Sequence, residues 1–319
     1  MGAHSTGYEQ DPDDFRRVMD GRRADPYFAT MNVAIAPIGG PIGVELRGLD
    51  LSRDPAPDVI CAITAALRDH LLLLVRSQDL TRERLREITS WFGELHRPRA
   101  DQPAFGDHSL DPIAIVSNVD ERGLLGSAAV PSHADQEYLA EPTRATLLYA
   151  AEVPASGGET SWLDLRRAYD DLPGRVRRRI AGLERWTANP YAGVPPHDLA
   201  ERESNQRFSE AEYPPALHPL VRVQGGSGRR ALYVSSLTTG LRGIRGPGAA
   251  WRSRRLLRRL KRHVAQPHRS YTHRWRPGDL VVWDNFFTIH KRAAFDGSQR
   301  RVMYRCQVEH GAPLGSGAP

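Results

Sequence analysis

Apolar positions along the chain change their spacing several times, and each change marks an element. The stretch NVAIAPIGGPIGVELRGLDL reads as a β-rich start, broken at Gly39-Gly40-Pro41. Residues from Pro57 to His70 have helical spacing, LLLLVRS is a buried run of strand length, and a second helix is expected over Thr81–Leu95. Thr81 suits its N-cap, and Leu85, Ile88, Trp91 and Phe92 form its apolar stripe. Beyond residue 112 the signal turns to short strands: IAIVSN, ATLLYAAEV, ETSWLDL, ALYVSSL, DLVVWDNF and RRVMYRCQV. Helices are expected to interrupt them at about 166–184 and 249–264, and residues 97–112 and 119–132 read as loops. The pattern predicts a mainly β fold with flanking helices, a sandwich or barrel, with one domain over residues 31–310. Residues 1–30 and 311–319 lack periodicity and read as tails.

Composition adds bounds. Hydrophobic residues are 40% and charged residues 26% of 319, enough to bury a core. The longest aliphatic run is far below the roughly 20 residues of a membrane span. No secretory leader pattern opens the chain, and two distant cysteines, Cys61 and Cys306, suit neither a disulfide framework nor a cysteine-rich zinc site. A cytoplasmic location is expected. The MGAHST start matches a myristoylation pattern in form, but no polybasic second signal follows. The net charge of +6 comes mostly from arginines around 175–179 and in WRSRRLLRRLKRHV. Either stretch is a solvated helix face or a nucleic-acid or membrane surface. In the second, Leu256, Leu257, Leu260 and Val264 fall on one side, as on a packed helix.

The candidate chemistry begins at PSHADQEY. His133 and Asp135 are two apart, so on an extended segment both side chains face one way. An imidazole and a carboxylate suit a borderline cation such as Fe(II), although HxD alone is weak. His290, at the end of an apolar strand in WDNFFTIHKRAAF, is either a hydrogen-bonded core histidine or the third ligand. Arg301 and Arg305 follow it by eleven and fifteen residues. A turn at Asp296-Gly297-Ser298 is expected to make their segment the antiparallel neighbour of the His290 strand. Two inward arginines are costly unless something anionic binds.

These residues together resemble the TauD/TfdA branch of the Fe(II)- and 2-oxoglutarate-dependent dioxygenases. That family carries HxD…H followed by RRxxxR, here His133-Ala134-Asp135, His290 and Arg300-Arg301-Val302-Met303-Tyr304-Arg305. Its GG[DE]T turn appears as Gly157-Gly158-Glu159-Thr160, and GELH at 93–96, WDN before His290 and HPLVR at 218–222 match as well. The likeness runs from about residue 32 to 308. It implies a double-stranded β-helix, a cupin-like jelly roll, with Fe(II) on His133, Asp135 and His290. It also implies 2-oxoglutarate on the metal with its far carboxylate on Arg301 and Thr160, and O2 at the last metal position. Succinate and CO2 are released, and hydrogen abstraction leads by default to hydroxylation, with desaturation or rearrangement as other outcomes.

By the same resemblance Arg305 holds the anionic group of a small substrate, a carboxylate, sulfonate or phosphonate. The pocket differs from that of the taurine-oxidising members. Pro98 and Asp101 replace a histidine and a tyrosine, and Leu237 in YVSSLTTG replaces an aromatic residue. Taurine itself is therefore not the expected substrate, and Asp101 would favour a cationic nitrogen on it. Neither a nucleic acid nor a membrane is an expected partner, and a homo-oligomer is compatible with the sequence. Two other classes stay open: a zinc hydrolase on the same triad, which leaves Arg301 unexplained, and a non-catalytic or nucleic-acid-binding protein on a dioxygenase fold.

Overall fold

A computed structural model describes residues 33–97, 111–121, 123–188 and 215–311. The tails expected at 1–30 and 311–319, save Gly311, lie outside the described residues. In chain order the front part comprises β1 (Ala34–Pro37), β2 (Val44–Arg47), α1 (Pro57–His70), β3 (Leu72–Val75) and α2 (Arg82–Ser90). Then come β4 (Ile113–Ser117), β5 (Leu124–Leu125), β6 (Val130–His133), β7 (Ala145–Glu152) and β8 (Thr160–Asp164). Two short helices, α3 (Leu165–Asp170) and α4 (Gly174–Ile180), precede β9 (Glu184–Thr187), β10 (Ala216–Pro219), β11 (Val221–Val223), β12 (Arg230–Leu232) and β13 (Gly240–Arg242). The chain ends with α5 (Ala249–Val264), β14 (Ser270–His273), β15 (Leu280–Asp284), β16 (Thr288–Arg292) and β17 (Val302–Val308).

Two sheets form the jelly roll. The larger runs β1-β2-β3-β15-β7-β17-β4-β5 and the smaller β14-β8-β16-β6. Their inner faces meet through Trp162 and Trp283, whose rings are 5.5 Å apart, with Leu148, Met303, Val281 and Ile289 in the same core. The outer face of the larger sheet is buried too, under α1 and α2. Leu72 and Leu74 join the inner core, while Leu73 and Val75 pack with Ile63, Leu67, Leu85 and Ile88. A strand buried on both faces has no polar side to show, which is why LLLLV and ATLLYA read as continuous apolar runs.

Local chemistry sets the helix ends. Pro57 opens α1 with its φ already helical, and the helix stops where Leu71 turns left-handed at φ 66°. That conformation is costly for leucine, and its complete burial holds it in place. The Thr81 hydroxyl caps α2 by accepting from the Arg84 amide at 3.1 Å. Leu256, Leu257, Leu260 and Val264 are the buried face of α5, as their spacing predicts.

Four expectations are corrected. Helix α2 ends at Ser90, not Leu95. The helix over 166–184 is two helices, separated at Pro173, and its last residue opens β9. The loop at 119–132 contains β5 and most of β6. The segments bearing His290 and Arg301 are not paired. Both edges of β16 are taken by β8 and β6, and both edges of β17 by β7 and β4. Residues 293–301 instead carry the chain across from one sheet to the other, so the two segments face each other over the interior.

Candidate active site

The candidate residues gather on strands of the two sheets or just beside their ends. His133 closes β6 and is the register partner of His290 on β16. Asp135 lies just past the strand end. One ligand atom from each of His133, Asp135 and His290 lies within 4.8 Å of the others. Asp135 Oδ1 is 3.5 Å from His133 Nε2 and 3.6 Å from His290 Nε2.

A web of hydrogen bonds aims these atoms. His133 Nδ1 donates to the Pro131 carbonyl at 2.8 Å, which turns Nε2 toward Asp135, and the carboxylate outweighs burial and raises the imidazole's pKa. The other carboxylate oxygen, Asp135 Oδ2, accepts from the Thr146 hydroxyl at 2.6 Å. Thr146 is held in turn by the Asn285 amide at 2.8 Å, and Asn285 Oδ1 accepts from Trp283 Nε1 at 2.8 Å. The WDN motif thus orients the carboxylate through Trp283 and Asn285, while Asp284 binds the buried Arg144 at 2.5 Å. Burial opposes the charge on Asp135, but His290, His133 and Arg305 outweigh it and hold the carboxyl well below the usual range. Burial and the neighbouring His133 push His290 down to about 3, so it is neutral. An ionised carboxylate and a neutral imidazole are the states a cation needs.

Thr160, Arg301 and Arg305 line the same cavity as the triad. Arg301 is 2% exposed, and its Nε and Nη1 have no hydrogen-bond partner among the described residues. Burial and the charge of nearby Arg292 push its guanidinium down to about 9. On β17 the residues in step with Arg301 and Arg305 face inward, whereas Tyr304, Cys306 and Val308 pack toward the helices. The even spacing therefore reads correctly even though the strand pairing does not. Arg305 is half-buried, and its Nε is unpartnered among the described residues.

Thr160 opens β8 straight after the Gly-Gly turn. Both glycines are left-handed, at φ 79° and 70°, and a Cβ on Gly157 would meet the Ala294 carbonyl at 2.8 Å. That close approach ties the turn to the 293–301 crossover beneath Arg301. Thr160 Oγ1 accepts from Trp275 Nε1 at 2.9 Å, so its own proton is free to be donated into the cavity.

Of the expected pocket residues, Leu237 is half-buried in a turn whose neighbour Ser236 donates its amide to the Ser132 carbonyl beside His133. It does not line the cavity. Pro98 and Asp101 lie outside the described residues. Residues that sequence reasoning missed include Thr146, Trp275 and Arg292. The last could have been found, because it follows His290 by the same two-residue step that links His133 to Asp135.

Comparison with known proteins gives the family. The family model described as taurine catabolism dioxygenase TauD, TfdA family, matches residues 34–307. The α-ketoglutarate-dependent 2,4-dichlorophenoxyacetate dioxygenase of Burkholderia sp. (strain RASC) is 35% identical over 274 residues, covering 82% of this chain and 89% of that protein. Pentalenolactone F synthase of Streptomyces arenae is 31% identical over 282 residues, covering 84% of this chain and 93% of that one. The crystal structure of AAD-2 in complex with Mn(II) and N-oxalylglycine matches with a TM-score of 0.70 at 28% identity, covering 89% of this chain and 100% of that one. The chain belongs to the TauD/TfdA family and is a dioxygenase dependent on Fe(II), 2-oxoglutarate and O2.

Proposed function

We propose that this dioxygenase oxidises a small organic anion, with His133, Asp135 and His290 holding the iron, Arg301 and Thr160 the far carboxylate of 2-oxoglutarate, and Arg305 the anionic group of the substrate. The observation that carries this reading is the pair of unpartnered nitrogens on Arg301, buried in the cavity that the triad lines. A guanidinium in that state is stabilised by a bidentate carboxylate. Two histidines and one carboxylate form a donor set suited to Fe(II). When bound, Fe(II) with 2-oxoglutarate and O2 supplies the oxidation that releases succinate and CO2. The protein's part is to orient donors, to fix the cosubstrate at its far end and to place a substrate carbon beside the metal.

Arg305 supports an anionic substrate in two ways. Its unpartnered Nε is buried at the same cavity, and Val116, Leu125, Val130 and Leu148 offer an apolar lining for the carbon skeleton. The Burkholderia relative is named for an aryloxyacetate, itself a carboxylate. Taurine is not favoured by the resemblance, because two of the positions that bind it in the taurine-oxidising members are Pro98 and Asp101 here.

Screening carboxylates, sulfonates and phosphonates for substrate-triggered 2-oxoglutarate consumption tests this reading. With the substrate in hand, Arg305→Ala is expected to weaken it by about 2–5 kcal/mol, the scale of removing one partner of a buried charge pair. The same variant should leave 2-oxoglutarate binding nearly unchanged. A neutral true substrate, or one whose affinity ignores Arg305, would contradict the assignment. Thr160→Ala should weaken 2-oxoglutarate by about 1 kcal/mol, the worth of one ordinary hydrogen bond. An unchanged dissociation constant, read by calorimetry, would remove Thr160 from the cosubstrate site.

A further inference from the structure

The cavity holds a third guanidinium that the roles above do not use. Arg292 follows His290 by two residues on β16, so both side chains leave the same face, and its register partner on β8 is Thr160. It is 6% exposed and lines the cavity together with Arg301. Nη2 donates to the carbonyls of Leu125 and Ala128, while Nε and Nη1 are buried with no hydrogen-bond partner among the described residues. The guanidinium carbons of Arg292 and Arg301 lie 5.6 and 5.9 Å from the centroid of the Phe295 ring. Two guanidinium groups, each with Nε and Nη1 unpartnered among the described residues, thus line one cavity with Thr160. Two like charges buried together repel, and burying either without an anion is unfavourable. A single carboxylate has two oxygens and about four acceptor sites, enough to serve both groups.

We propose that Arg292 is a second binding residue for the far carboxylate of 2-oxoglutarate, which is then gripped between two guanidinium groups. This rests on the placement of 2-oxoglutarate against Arg301 and Thr160. Because Nη2 also tethers the 125–128 segment, loss of the side chain acts on structure as well as on charge. Two variants separate these effects. Arg292→Lys gives up the forked tether but keeps a cation, whereas Arg292→Gln keeps a polar side chain of moderate length and loses the charge.

The test is calorimetric titration of 2-oxoglutarate into the Zn(II)-loaded protein, a readout independent of turnover. Arg292→Gln should weaken binding roughly tenfold or more, the scale of one hydrogen bond to a charged group, and Arg292→Lys should weaken it less. A crystal structure of the unmodified chain with Mn(II) and N-oxalylglycine should place Arg292 Nε or Nη1 in a hydrogen bond to the distal carboxylate. That second measurement stands even if a variant fails to fold. The proposal is overturned by Arg292→Gln binding 2-oxoglutarate as tightly as the parent, or by a distal carboxylate bonded to Arg301 and Thr160 with Arg292 turned away. Failure of the unmodified chain to bind 2-oxoglutarate would instead overturn the placement on Arg301, and this proposal with it.

Discussion

Alanine at His133, Asp135 or His290 is expected to abolish succinate formation and to reduce bound iron well below one equivalent. Three donors on one face leave no spare protein ligand to fill a gap. Asp135 is the most exposing test, because its second oxygen is committed to Thr146 and Oδ1 alone faces both imidazoles. Its removal also leaves only the two histidine donors, whose ring centroids are 4.2 Å apart. Iron content measured against protein, together with succinate yield, checks the prediction. A His290→Ala protein with full iron stoichiometry and turnover would sink the metal assignment.

The second large effect is expected at Arg301. Arg301→Ala should cost about 2–5 kcal/mol of 2-oxoglutarate binding, as for a charge-paired contact to a buried anion. A thermal consequence follows from linkage. A ligand that binds only the folded state stabilises it, so 2-oxoglutarate should raise the melting temperature of the unmodified protein. Arg301→Ala should lose most of that rise. Its ligand-free stability should fall less than usual for a truncation this size, since the deletion also removes an unpartnered cation from beside Arg292. Equal 2-oxoglutarate affinity in variant and parent would refute the role.

What was legible in the sequence divides along physical lines. Periodicity exposed α1, α5 and the doubly buried strands, because each depends on a face that its own residues define. The metal candidates were visible because two ligands sit in one tripeptide and the arginines keep an even step from each other. Strand pairing was not legible. Asp296-Gly297-Ser298 looks like a hairpin turn, yet both edges of β16 were already occupied and the segment crosses between sheets. Strand β9 was hidden because GRVRRRI is helical and the reversal at Gly182, φ 76°, follows only two residues later. The Asp135–Thr146–Asn285–Trp283 web had no sequence signature, since its members come from separate segments and meet only after the sheets pack.

The zinc-hydrolase reading and the non-catalytic reading differ from the dioxygenase account in one observable. A cation held by the triad must share its open positions with 2-oxoglutarate, and the far end of that molecule must reach Arg301. The most direct measurement is anaerobic titration of the Fe(II)-loaded protein with 2-oxoglutarate, followed by visible absorption. The account predicts a weak charge-transfer band that saturates with cosubstrate, is absent with Zn(II), disappears in Asp135→Ala and needs far more 2-oxoglutarate in Arg301→Ala. Stoichiometric Fe(II) and bound 2-oxoglutarate with no such band would contradict it, because the two would then occupy separate sites.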